Sequence, residues 1–353
     1  MLDKIKKIIK IFIETFKNVF SKADLLYIGE NVNWVTDWIG FSIIKNLPTN
    51  FKARQTVFTP FIRNKILHFG SVGTFVRKNG IRKIHKSNKV VVTWFHIINN
   101  DPRLKYISEL NQRADFIHTA CQKTKEQLIG HGISLEKIIV IPLGIDLDNF
   151  ICKSREEKEE IKTRLNLPKN KTIIGSFQKD GSGWGEGNEP KMEKGPDVFC
   201  DVMERLAKEF NIHVLLTGPA RGYVKKRLEK ANITYTHNFF NNFLDIVDYY
   251  NVLDLYIVAS RIEGGPKAIA ESMACGVPII STDVGLSPDV IDHQKDGILC
   301  EVEDRECLVK YAKEILVNNE LKEGLVSNGF IKIKNYSWQK ISAQYFERIY
   351  SKL

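Results

Sequence analysis

Short runs of β-branched and aromatic residues alternate along this chain with longer stretches whose apolar positions repeat at helical spacing. That alternation predicts parallel strands joined by crossover helices. Strands buried on both faces read as continuous apolar runs. In the front half Asp24–Gly29, Lys89–His96 and Ala114–Ala120 have this character, and Trp38–Leu47 reads as a helix after the first of them. In the back half Lys171–Phe177, His213–Pro219 and Asp254–Ser260 are further strands, and Pro196 opens a helix reaching to about Phe210. The charged run Lys153–Arg164 reads as a solvated helix between the halves.

The first twenty residues follow a different pattern. Leu2, Ile5, Ile8, Ile9, Phe12, Phe16, Val19 and Phe20 fall on one helical face, with Lys6, Lys7, Lys10 and Lys17 largely opposite. A basic amphipathic helix fits the surface of an anionic bilayer. It equally fits a helix packed on its own domain with its lysines in water, and both readings stay open. No apolar run approaches the ~20 residues that span a bilayer. No cleavable signal peptide is expected.

A length of 353 residues suggests two domains, and a hydrophobic content of 43% is ample for a core in each. The net charge of +10 suits phosphorylated ligands or an anionic surface. Nucleic acid ranks last as a partner, because no aromatic RNA-binding signature or DNA-binding motif is present. The six cysteines lack CxxC or zinc spacing, so reduced thiols are expected and no metal site.

The chemistry concentrates in Ser260-Arg-Ile-Glu-Gly-Gly-Pro-Lys-Ala-Ile-Ala-Glu271, where Glu263 and Glu271 stand eight positions apart. It reads as strand, tight turn and helix. Pro266 suits the first helical turn. The helix N-terminus then offers free N–H groups and a positive dipole end to a phosphate or diphosphate. Gly264 and Gly265 let a ligand approach the backbone. Both carboxylates can border one cleft, and carboxylates accept hydrogen bonds from sugar and ribose hydroxyls. Two surface glutamates on an ordinary amphipathic helix are the bland alternative.

This stretch resembles the E-x7-E signature of the retaining glycosyltransferases of family 4, with Glu263-Gly-Gly-Pro266 where Glu-Gly-Phe-Gly is usual. The resemblance runs from about Val90 to Tyr350 and is thin before that. It implies the GT-B fold, with two Rossmann-like domains facing across a cleft and a C-terminal helix crossing back to the first domain. The organisation expected is a basic helix over 1–22, an acceptor domain over 23–150, a linker over 151–170, a nucleotide-sugar donor domain over 171–335 and the crossing helix over 336–353. In the family the first glutamate sits beside the donor sugar and the second holds the ribose, which gives Glu263 and Glu271 their roles. His96, at the end of its strand, stands where the family has a histidine near the donor sugar.

The family grips the donor diphosphate with a basic residue after one strand and a Lys-Gly before the next helix. Lys179 and Lys194 stand in those places, with Gly264, Gly265 and Lys267 completing the diphosphate set. Lysine for the usual arginine exchanges a planar fork for a point charge. A glycine-rich insertion also separates the two lysines, and Trp184 within it is either a stacking surface for the acceptor or part of a surface loop. Asn238 and Phe239 occupy the place of the loop that meets the nucleotide base. Loops after parallel strands line the binding crevice of open α/β sheets. That makes Trp34 and Asp37 acceptor candidates.

The resemblance therefore implies transfer of a sugar from a nucleotide-sugar donor to a hydroxyl of a glycan or lipid-linked acceptor, with retention, without a metal or other cofactor. Cell-surface polysaccharide or lipopolysaccharide synthesis is the expected setting, in the cytoplasm or at the inner face of the membrane. A sugar phosphorylase, a nucleotide-sugar epimerase, or a silent nucleotide-sugar-binding subunit are the alternatives on the same architecture.

Overall fold

Parallel pairing of apolar strands organises both halves of the chain. The computed structural model describes residues 12–30, 35–240 and 242–353. It divides into two compact units. One runs to Gly144 and takes back Trp338–Leu353; the other is Ile145–Ser337.

In the first unit the strands are β1 (Leu25–Ile28), β2 (Ala53–Thr56), β3 (Ile66–Phe69), the small antiparallel pair β4 (Val76–Arg77) and β5 (Gly80–Ile81), then β6 (Lys89–Thr93), β7 (Phe116–Thr119) and β8 (Ile138–Val140). The parallel sheet has the order β2-β1-β3-β6-β7-β8. β1 and β3 are buried along their whole length, as expected of strands covered on both faces. The helix Trp338–Arg348 belongs to this unit. Phe346 meets Phe51 with ring centroids 5.3 Å apart, and Tyr345 reaches the buried His118. Gly144 is required beside it, because a Cβ there would lie 2.5 Å from the Trp338 ring.

The second unit holds β9 (Thr172–Ser176), β10 (Ile212–Thr217), β11 (Thr234–Asn238), β12 (Leu255–Val258), β13 (Ile279–Thr282) and β14 (Ile298–Cys300), all parallel, in the order β11-β10-β9-β12-β13-β14. Strand order reverses between β9 and β12. The loops leaving their C-terminal ends therefore splay to opposite sides and open a ligand crevice. The helix Pro196–Leu206 buries Val198, Phe199, Val202, Met203 and Leu206 against this sheet. Each such side chain contributes about 1.5–3 kcal/mol by leaving water.

Several expectations change in detail. The strand expected over Lys89–His96 stops at Thr93, so His96 lies in the following loop. Pro266 sits one position before its helix, which begins at Lys267. The stretch 151–170 carries the helix Arg155–Arg164, opened by a Ser154–Glu157 capping box, and lies in the second unit. Cys300 and Cys307 form a disulfide where reduced thiols were expected, because strand end and helix start bring their Cα atoms to 5.8 Å. Among the described residues no helix is long and apolar enough to cross a membrane.

Candidate active site

Two turns meet at the reversal point of the second sheet. The turn Met192–Lys194 ends in Gly195, whose φ of +61° takes the chain into the helix Pro196–Leu206. A Cβ at Gly195 would lie 1.9 Å from the Ala259 carbonyl oxygen, so only glycine lets this turn lie against the end of β12. From the other side Arg261 and Ile262 donate their backbone N–H groups to Glu193 O, at 2.8 and 3.0 Å. The Arg261 guanidinium bonds Met192 O at 2.8 Å and grips Asp197 through both of its carboxylate oxygens, at 2.8 and 2.7 Å. Burial would raise the Asp197 carboxyl, but the Arg261 bonds outweigh it and hold the group below its ordinary range.

This clamp brings together Lys194 and Glu263, sixty-nine positions apart, with Nζ 2.5 Å from Oε1. The Ser260 hydroxyl lies 3.0 Å from the same Glu263 oxygen and 3.1 Å from Gln178 Oε1, and its one proton serves either. Gln178 in turn donates to Lys194 O at 2.7 Å. Gly285 closes the back of the turn. Its φ is +50°, and a Cβ there would lie 2.5 Å from Glu263 O and 2.6 Å from Gly264 O. The ammonium of Lys194 has three donors, so it can hold Glu263 and an incoming phosphate oxygen together.

The insertion between Lys179 and Lys194 is a built hairpin. Gly181 bridges Pro190, Ser182 N donates to Glu189 O, and Lys191 N donates to Asp180 O. The hairpin lies on the turn after β10, where Gly222 N and Tyr223 N donate to Glu186 O and Gly187 O. Beneath it Asp180 and Arg221 form an ion pair at 2.9 Å with both side chains fully buried. Arg221 also bonds Ser176 O at 2.6 Å and Thr217 O at 3.0 Å. The legs of the hairpin close on each other, so the extra residues leave Gln178 and Lys194 in contact. Lys179 points to the hairpin tip, with Nζ 4.1 Å from the centroid of the Trp184 ring. Burial, and then Lys191, lower the pKa of its ammonium. Trp184 is 67% exposed.

Glu271 lies one turn into the helix Lys267–Ala274 and is 4% exposed. Tyr250 donates to its Oε2 at 2.8 Å. Its Oε1 has the Lys267 ammonium at 3.2 Å, but without the alignment of a hydrogen bond. Lys267 also sits over the Phe243 ring at 4.1 Å, between that ring and the carboxylate. Pro266 provides no side-chain cap for this helix.

The remaining candidates are placed as follows. Asn238 ends β11 and accepts from Gly218 N at 3.2 Å through its carbonyl; the next residue, Phe239, is exposed. In the first unit His96 is half-buried in the loop after β6, and its carbonyl accepts from Trp94 Nε1. Asp37 lies in the first turn of the helix Val35–Lys45 and not in the loop before it, its Oδ1 accepting from Glu30 N at 2.9 Å and Gln55 Nε2 at 3.2 Å. Trp34 lies outside the described residues. The structure thus gathers Lys194, Glu263 and the Gly264–Gly265 turn, with Glu271 further along the same segment. It adds Gln178, Ser260, Arg261 and Tyr250, which the sequence reading missed. Gln178 and Ser260 could have been suspected from their places at strand ends; nothing local marks Tyr250.

Known proteins share this architecture. A crystal structure of Anabaena Alr3699/HepE in complex with UDP and glucose superposes with a TM-score of 0.74 at 15% identity, covering 94% of this chain and 100% of that one. Sucrose-phosphate synthase from Thermosynechococcus elongatus does so with a TM-score of 0.63 at 18% identity, covering 97% and 78%. The fold is GT-B. In sequence, the lipopolysaccharide core biosynthesis mannosyltransferase LpsB of Rhizobium meliloti (strain 1021) is 27% identical over 209 residues, 56% of each chain. The N-acetyl-alpha-D-glucosaminyl L-malate synthase of Bacillus anthracis is 30% identical over 156 residues, 42% of this chain and 41% of that one. The chain spans little more than half the length of the first relatives it matches. Lys194, Glu263 and Glu271 all fall within residues 189–331, the segment that matches the family model described as Glycosyl transferases group 1.

Proposed function

We propose that this chain is a retaining glycosyltransferase that moves a sugar from a nucleotide-sugar donor to a hydroxyl of a glycan or lipid-linked acceptor. The observation that carries the reading is the Lys194–Glu263 pair at the β9/β12 reversal, with Glu263 eight positions before a buried Glu271 whose Oε1 lacks a hydrogen bond among the described residues. The chemical task is to meet negative charge growing on the leaving diphosphate and positive charge growing at the anomeric carbon. In this reading Lys194, with the N–H groups opening the helix Lys267–Ala274, meets the first. In this reading that ammonium and those N–H dipoles take the role a metal ion fills elsewhere. Glu263 orients the sugar beside the cationic centre. Glu271 takes the ribose. Departure and attack on one face of the sugar give retention.

Calorimetric titration with UDP, GDP, ADP and CMP, on the wild type and on Glu271→Ala, tests this. The expected result is selective binding of one nucleotide, weakened by the substitution. Glu263→Ala is expected to abolish turnover and keep that binding. Absence of binding by all four nucleotides would overturn the reading.

The reading extends to an anionic membrane surface as the place of work, suited to a lipid-linked acceptor. Its support is the helix over residues 12–19. Its polar side is docked: Asn18 is buried and donates to Thr56 Oγ1 and Phe58 O at 2.8 and 2.9 Å, and Glu14 pairs with Arg54 at 2.6 Å. Phe12, Phe16 and Phe20 are left 75, 58 and 69% exposed. Aromatic side chains held outward beside lysines suit the headgroup boundary. Cosedimentation with vesicles containing phosphatidylglycerol should be lost in a Phe12→Ser, Phe16→Ser, Phe20→Ser variant. Equal sedimentation of variant and wild type would refute the extension. The expected residues Leu2, Ile5, Ile8 and Ile9, with Lys6, Lys7 and Lys10, lie outside the described residues.

A further inference from the structure

Glu271 presents two unlike oxygens. Oε2 accepts from Tyr250 at 2.8 Å. Oε1 is buried and has no hydrogen-bond partner among the described residues. A buried carboxylate oxygen in that state is costly unless a ligand completes it. Tyr250 is itself held firmly. Its ring lies 4.8 Å from Phe177, 5.4 Å from Tyr256 and 6.4 Å from Phe150, centroid to centroid. Tyr256 accepts from Phe177 N at 2.8 Å, which ties the same cluster to the residue before Gln178. Burial, and then the neighbouring carboxylate, hold the Tyr250 phenol well above its ordinary pKa, so it remains a donor.

A carboxylate on its own turns freely about its last torsion. With Oε2 fixed by a rigid phenol, the plane of the group is set and Oε1 is aimed. Lys267 pulls at Oε1 from 3.2 Å, so without the Tyr250 bond the carboxylate would rotate toward the ammonium. We propose that Tyr250 is a positioning residue that fixes the Glu271 carboxylate and thereby sets the preference of this site for a ribose over a deoxyribose. The proposal rests on the ribose role given to Glu271 above. A site built to bond a hydroxyl discriminates against the analogue that lacks it, provided the acceptor cannot find another partner. By holding Oε2, Tyr250 keeps the carboxylate from turning both oxygens onto Lys267, which is limited to the 3.2 Å contact at Oε1.

The test measures dissociation constants for UDP, GDP and ADP beside their 2′-deoxy and 3′-deoxy counterparts, on wild type, Tyr250→Phe and Glu271→Gln, with thermal unfolding as a check on folding. The wild type should prefer the ribonucleotide by roughly 10- to 100-fold over one of the deoxy forms, as for one hydrogen bond to a charged acceptor. Tyr250→Phe, which removes a single oxygen and leaves the aromatic cluster filled, should shrink that ratio about tenfold. A merely structural tyrosine would weaken both nucleotides alike and leave the ratio unchanged. That result, with the ratio lost in Glu271→Gln, overturns the proposal and spares the ribose assignment. A ratio unaffected by Glu271→Gln, or absence of nucleotide binding by the wild type, overturns the assignment and the proposal with it.

Discussion

Lowering the pH should unfold the first unit through two histidines that its core holds neutral. His68 is fully buried, with Nδ1 2.6 Å from the Tyr350 hydroxyl and Nε2 2.8 Å from Thr93 Oγ1. His118 is fully buried beside it, with Nε2 2.9 Å from Ile141 O and Nδ1 3.0 Å from Thr93 Oγ1. The carbonyl can only accept, so Nε2 of His118 carries the proton and Nδ1 accepts. Burial pushes the His118 pKa down to about 4, with Arg348 adding to the depression and the Ile141 bond opposing it. Burial, and then His118, push His68 well below its ordinary value. Below pH ~6.5 the unfolded chain binds protons that the folded one refuses, so stability rises with pH through this window. Sign and size follow for His118. Its contribution is full above pH ~6.5 and is lost as the pH falls to about 4. At about 1.4 kcal/mol for each pH unit it amounts to about 3 kcal/mol. His68, held neutral by the same burial, adds to the slope with the same sign.

The assay is urea unfolding followed by tryptophan fluorescence at pH 7.5, 6.5, 5.5 and 4.5. Trp184 is the only one of the five tryptophans in the second unit, so the signal reports chiefly on the first. The expected pattern is a plateau above pH 7 and a fall of at least about 1 kcal/mol per unit below 6. A profile flat from pH 7.5 to 5 would refute the reasoning. So would a fall that persists unchanged when His118 and His68 are both replaced by glutamine.

Two further substitutions probe how the donor-side turns are held. Gly195→Ala should disrupt the Lys194 turn, since the new methyl would meet Ala259 O at 1.9 Å and the φ is +61°; nucleotide affinity, read by calorimetry, should fall at least tenfold, about 1.4 kcal/mol. Arg221→Met should cost about 3–5 kcal/mol in the urea unfolding of the second unit, followed by circular dichroism, because it strands a buried Asp180. A loss below about 1 kcal/mol would show that the pair does not pin the hairpin.

What the sequence yielded, and what it withheld, divides along sequence distance. The apolar runs located β1, β9, β10 and β12 because a strand buried on both faces is written in contiguous residues. The turn from Ser260 to Glu271 was legible for the same reason: strand end, glycines, proline and helix start are local chemistry. The partners of those residues were not. The contacts Lys194–Glu263, Tyr250–Glu271 and Arg261–Asp197 each join separate elements, and only the packed sheet brings them together. The strand expected to end at His96 stops at Thr93, and the helix expected from Trp38 already begins at Val35 and takes in Asp37; the bonds that engage Asp37 come from Glu30 and from Gln55 on another strand, out of reach of a local reading.

The residues from Lys179 to Lys194 show how an insertion in sequence can leave its two ends in contact, Gln178 donating to Lys194 O at 2.7 Å. Read along the chain, the insertion moves a basic residue away from the Lys-Gly turn. In space the added residues pair with each other, and their ends return to the same place. The cost is a buried aspartate, which burial drives above its ordinary pKa and Arg221 draws back only in part. That cost is accepted in a residue that follows Lys179 directly, where any looseness would spread to Gln178 and so to Lys194. Glycines at 181 and 187 let the hairpin lie against Ala220, since a Cβ at either would come within 2.3 Å of its carbonyl oxygen. The hairpin is therefore fixed at its base by the buried Asp180–Arg221 pair, while its tip presents Lys179 and Trp184 together. If Trp184 is the acceptor contact that the sequence offers as one of two readings, substitutions at Asp180 or Arg221 and at Trp184 should act on different measurements: the first pair on unfolding, the last on acceptor KM.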